Sequence, residues 1–173
     1  MPAPSIYVCH VATPEGFKDY ITLTSPDATF SKGLIPEAIL GVLTHALGPQ
    51  EPITPDIVTP NSVFTKFLAF VIARHGPEQP GLVAEARRIG EGHVVLVDQR
   101  TPTPQGPVPP EDILGVFRVQ DGLVVPGSYM ASPKHRLLTS NGLFQLDSEL
   151  MDCLQRELVA RSANPADGSD PKS

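Results

Sequence analysis

Hydroxyls at Ser128, Tyr129 and Ser132 stand just ahead of three consecutive side chains able to carry positive charge, Lys134, His135 and Arg136. Together they form the best local candidate for chemistry in the chain. Lys134 and Arg136 offer charge-assisted donors to an anion, the serines add hydrogen bonds, and His135 suits general acid or base work near neutral pH. The same residues also suit a solvated connection between the last strand and the last helix. Asp98 and Arg100, at the end of the apolar run beginning at His93, extend the site if the sheet brings them near, or else form a strand-end ion pair.

Other motifs are missing. The chain has no G-x-x-x-x-G-K-[ST] and no G-x-G-x-x-G between a strand and a helix, so no nucleotide cofactor is expected. Ser128 sits in Pro126-Gly-Ser-Tyr-Met130, which is not a nucleophile elbow, and neither Cys-x-x-Cys nor His-Glu-x-x-His occurs. Cys9 and His10 are neighbours on a strand pattern, so their side chains diverge and cannot grip one metal together. His45 and His75 are placed in the last turns of helices, where a cation complements the dipole. No metal site is expected, with a site assembled from His10 and distant residues as the open alternative.

The elements that position these residues follow from periodicity. Alternating runs at 5–12 and 17–24, joined by Thr13-Pro14-Glu15-Gly16, predict an opening hairpin. Residues 35–47 read as a helix with Pro36 at its first turn and Gly48-Pro49 as its stop. A proline-punctuated loop leads into a second helix at 61–75, whose stripe is Val63, Phe64, Phe67, Leu68, Val71 and Ile72. A shorter helix follows at 81–89, and 93–98 reads as a strand covered on both faces. Strands at 112–120 and 123–129 flank Asp121-Gly122, a type I′ hairpin signal. A last helix, capped by Asp147 or Ser148, runs through Arg161.

The order predicts an α+β fold: one domain over 1–161, with an antiparallel or mixed sheet of about five strands packed against three to four helices. Residues 162–173 read as a disordered tail. Thr101 to Pro110 is a proline-rich arm between two strands, with Pro102, Pro104, Pro107, Pro109 and Pro110 as a candidate contact surface. Proline removes backbone donors and favours polyproline II, so this stretch is expected to project from a sheet and not to pair within it.

Composition sets the class. The 173 residues are 40% apolar, enough for a core without disulfide or metal staples, and the two cysteines read as reduced thiols. A net charge of −6 argues against nucleic acid or anionic lipid as a partner, although eight of the thirteen Lys and Arg residues fall within 61–140. The opening Met1-Pro-Ala-Pro4 has neither a basic region nor an apolar run, and no segment approaches a membrane span, so the cytoplasm is the expected compartment. Two functional expectations result. The first is a binding or assembly domain, a homodimer or the receiver of a protein partner, that uses the arm and the adjacent hairpin. The second is a small enzyme or binding domain for an anionic metabolite, with its pocket near 128–136.

Overall fold

A computed structural model describes residues 6–23, 36–100 and 107–163. The described residues divide into two compact units, one formed by those up to 67 together with 155–163, the other by those between 68 and 154. Strands and helices together give an α+β composition, but the strands form separate small sheets where about five were expected in one. None of the described helices is long and apolar enough to cross a membrane.

In the first unit, β1 (Tyr7–Thr13) and β2 (Gly16–Thr22) form the opening hairpin, in the register Thr13↔Gly16 to Tyr7↔Thr22. Gly16 takes φ +112° at the end of the turn, in the region where only glycine is free of strain. The sheet continues through β3 (Ile39–Leu43) and β4 (Val58–Pro60), antiparallel throughout, in the order β1-β2-β3-β4.

The segment containing β3 was expected to be helical. Apolar residues spaced for a helix also fit a short strand covered on both faces, and periodicity cannot separate the two. Packing does. Ile39, Leu40 and Leu43 are all buried, and a Cβ at Gly41 would lie 2.6 Å from the Thr59 carbonyl oxygen, an approach that joins β3 to β4 and that only glycine permits. His45 therefore lies beyond a strand, not in a helical last turn.

Asn61 joins this sheet to the first helix, α1 (Ser62–His75). Its Oδ1 accepts the Val63 N–H at 3.2 Å as an N-cap, while its Nδ2 donates to the Pro36 and Ile39 carbonyls at 3.0 and 2.8 Å. Phe64 and Phe67 are buried as the stripe requires, and burial of such side chains stabilises by about 1.5–3 kcal/mol each. Val63, counted in the same stripe, is exposed.

The second unit contains Leu68, Val71 and Ile72 of α1, then α2 (Pro80–Ile89) and the sheet of β5 (Gly92–Val97), β6 (Ile113–Gln120) and β7 (Leu123–Val124). The Asp121-Gly122 turn has φ 53° and 73°, as a type I′ turn requires, and its Gly122 N–H bonds the Gly90 carbonyl at 2.8 Å. The strand expected over 123–129 stops at Val124, because Pro126 and Gly127 (φ +78°) break the extended run. The chain then returns to β6 as β8 (Met130–Ala131), and β9 (Leu138–Thr139) pairs with β10 (Gly142–Leu143). The last helix, α3 (Ser148–Ala163), is capped by Asp147, whose Oδ1 accepts the Leu150 N–H at 2.9 Å. It continues two residues past Arg161, and the rest of the expected tail lies outside the described residues.

Gly115 sets how closely β8 approaches β6. A Cβ there would lie 2.5 Å from the Met130 carbonyl oxygen and 2.6 Å from the Tyr129 ring. Gly115→Ala must push backbone aside, so we expect a loss of about 1–3 kcal/mol, read as a lower urea midpoint at unchanged slope.

Candidate functional site

A dense polar cluster forms in the second unit where β5 ends. Past Val97, the Asp98 N–H bonds the Asp112 carbonyl at 2.7 Å, and the Gln99 N–H bonds the Gln145 carbonyl at 2.8 Å. The chain then turns inward at Arg100, whose side chain is wholly buried, as is that of Asp98. A guanidinium has five N–H donors and cannot be neutralised, so burial requires an acceptor for each.

The fold supplies them all. Nε donates to Asp112 Oδ1 at 2.7 Å, Nη1 to the Leu137 and Gly142 carbonyls at 3.2 Å each, and Nη2 to the Glu111 and Arg136 carbonyls at 2.8 and 2.7 Å. Asp98 completes the cluster. Its Oδ1 accepts the Arg100 and Gln145 N–H groups at 3.1 and 2.9 Å, and its Oδ2 lies 2.8 Å from His135 Nε2.

The cluster is a clasp. Arg100 directly precedes the proline-rich arm and Asp112 follows it, so their ion pair ties the two ends of that excursion together. With every donor engaged internally, the guanidinium can contact a ligand only by giving up a bond it already makes.

The expected anion-site residues are placed as follows. Ser128 Oγ donates to the Val125 carbonyl at 2.6 Å and accepts the Arg118 N–H at 2.9 Å. Tyr129 donates to the Leu114 carbonyl at 3.0 Å and packs on Phe117 with centroids 4.9 Å apart; burial pushes its hydroxyl well above the usual tyrosine range. Ser132 Oγ accepts the Lys134 N–H at 3.2 Å. His135 turns inward to Asp98, while Lys134 and Arg136 on either side of it are exposed. Asp98 and Arg100 do meet His135, through Asp98.

Pro102 and Pro104 lie outside the described residues. Pro107 is exposed, Pro109 is half-buried, and Pro110 opens a short 3-10 turn (Pro110–Asp112) that delivers Asp112 to Arg100. Asp112 was the member that sequence reasoning passed over. Its available signal was its position, a carboxylate at the start of a strand opposite the strand-end pair of Asp98 and Arg100.

Three other histidines lie away from this cluster. His45 Nε2 lies 2.8 Å from Glu51 Oε2, and His75 ends α1. His10 stacks on Phe17 with centroids 4.5 Å apart, and its Nδ1 lies 2.6 Å from Asp19 Oδ1. Among the described residues no three His, Cys, Asp or Glu side chains are grouped to hold a metal ion.

Two expectations follow. Arg100→Ala leaves buried carboxylates without their counter-charge and should cost about 3–5 kcal/mol in urea denaturation. Asp112→Asn, which keeps an acceptor for Nε, should cost less. Separately, the Gly48 N–H bond and then the His45 contact hold the Glu51 carboxyl below the 4.5 of a free glutamate. Its folded value being depressed, the interaction's contribution is fully present above 4.5 and is lost as pH falls through the lower folded value. The Gly48 amide resonance should titrate with a midpoint below 4.5, and His45→Gln should raise that midpoint.

Comparison of the chain with protein-family profiles, with curated proteins and with solved structures gives no match, so the functional reading rests on the geometry.

Proposed function

We propose that this protein is a binding or assembly domain whose contact surface is the proline-rich segment 101–110 together with the neighbouring hairpin. The observation that carries the reading is the Arg100–Asp112 ion pair, which fixes both ends of the segment to one buried anchor. A connector with no task beyond joining β5 to β6 needs neither ten residues nor a saturated guanidinium at its root. Anchoring a stiff segment lowers the entropy lost when it is captured, which is how preorganised loops gain affinity.

The adjacent sheet supports the same reading. Val95, Val116 and Met130 are consecutive in cross-strand register over β5, β6 and β8, and Val95 and Met130 are 48% and 69% exposed. Apolar side chains in one exposed row mark a surface suited to a protein more than to a small polar metabolite. The anionic-metabolite reading has less to draw on. The hydroxyls of Ser128, Tyr129 and Ser132 and the imidazole of His135 are already bonded within the fold, so it rests on Lys134 and Arg136.

The test replaces residues 102–109 with a Gly-Ser linker of equal length. The variant should keep its urea midpoint, because the clasp lies outside the replaced stretch, and should lose binding to a partner or change its mass in solution. Unchanged behaviour on both counts removes the proposal. Thermal stabilisation of the parent by phosphate or dicarboxylates, abolished in a Lys134→Ala, Arg136→Ala double variant, would support the metabolite reading instead.

A further inference from the structure

The edge strand of the first unit carries an inference independent of the proline-rich segment. Among the described residues β1 pairs with β2 alone, so one side of it is an open edge. Proteins blunt such edges with Lys, with proline, with bulges or by keeping the strand short. β1 has none of these. It runs Tyr-Val-Cys-His-Val-Ala-Thr for seven residues, without Lys, Arg, Asp, Glu or Pro, and its register against β2 is unbroken.

The direction of its free backbone groups can be read from the sheet. The Leu23 N–H, just past β2, bonds the Ala38 carbonyl ahead of β3. Odd positions of β2 therefore turn toward β3, and even positions, Lys18, Tyr20 and Thr22, turn toward β1. Their register partners Val11, Cys9 and Tyr7 spend their bonds on β2. Val8, His10 and Ala12 consequently aim their N–H and C=O groups at the open edge.

From this we infer that β1 is a homodimer interface, pairing antiparallel with β1 of a second copy about a two-fold axis at His10. The strand is self-complementary in that register. Val8 meets Ala12 of the second copy, Cys9 meets its Val11, Tyr7 meets its Thr13, and His10 meets His10, with the outward-aimed groups of 8, 10 and 12 forming the hydrogen-bonded pairs. No carboxylate or ammonium opposes its like. Each His10 is held by its own Asp19 at 2.6 Å, so the central imidazoles carry flanking carboxylates with them.

Side chains follow the backbone. Within one chain Ala12 stands opposite Phe17 and Val8 opposite Ile21. Across the axis the row becomes Phe17, Ala12, then Val8 and Ile21 of the second copy. It gives Val8, 43% exposed, an apolar neighbour in Ala12 of the second copy on its open side. A closed two-fold contact also removes the edge, which a single added peptide strand would only displace outward.

The full chain should sediment at twice 18.5 kDa as concentration rises. A Val8→Lys, Ala12→Lys variant sets Lys against Lys in both symmetric pairs and should raise the dissociation constant at least about tenfold. Val8→Lys with Ala12→Glu sets Lys against Glu and should restore most of the association. Hydrogen exchange of the parent needs no variant: the amides of Val8, His10 and Ala12 should slow as the protein is concentrated. A monomer at every concentration, an association indifferent to the Lys/Glu exchange, or fast exchange at those amides in an associated sample overturns the inference. The linker variant of 102–109 should dimerise normally. An association lost in that variant, yet blind to the β1 charges, belongs to the arm and also overturns it.

Discussion

A guanidinium that is buried must have its hydrogen bonds satisfied where it stands, since it can neither shed its charge nor reach water. That requirement at Arg100 organises the second unit. Its Nε needs Asp112 at the mouth of β6, and its terminal nitrogens need carbonyls from residues 111, 136, 137 and 142. One side chain thus sets where the arm rejoins the sheet, where the 132–137 turn lies and where β10 begins. Asp98 extends the constraint by taking the Gln145 N–H and facing His135. Such a network stabilises weakly as a whole, because desolvation offsets much of its attraction. Its strength is as a specifier, since any other chain path leaves a buried charge unpaired.

Around this anchor, small residues decide how closely strands approach. Gly115 admits the Tyr129 ring and the Met130 carbonyl against β6, and Gly41 admits the Thr59 carbonyl against β3. Hydroxyls that look like ligand donors are spent in the same way. Ser128 closes the turn after β7, and Tyr129 ties β8 to Leu114. The hydroxyls of Ser128, Tyr129 and Ser132 thus bond within the fold, while Val95 and Met130 remain exposed.

Local signals were legible in the sequence. The turn at 13–16, the Asp121-Gly122 hairpin and the cap at 147–148 all depend on residues within a few positions of one another. The helix expected at 35–47 was not local in this sense. Ile39 to Leu43 fits either period, and the Thr59 carbonyl against Gly41 decided for a strand. The five-stranded sheet also went beyond what patterns carry, because alternation marks strands but does not assign partners.

By itself the sequence determined the positions of most turns and elements, and the pairing of Asp98 with Arg100 as one possibility at a strand end. Tertiary structure alone decided that Arg100 would take Asp112 as its close partner and carbonyls up to 42 residues away, and that His135 would turn inward between two exposed cations. The physical reason is range. Turn and cap energies arise between neighbours in sequence, whereas satisfying a buried charge depends on which distant backbone groups the completed fold brings within 3 Å or so of it.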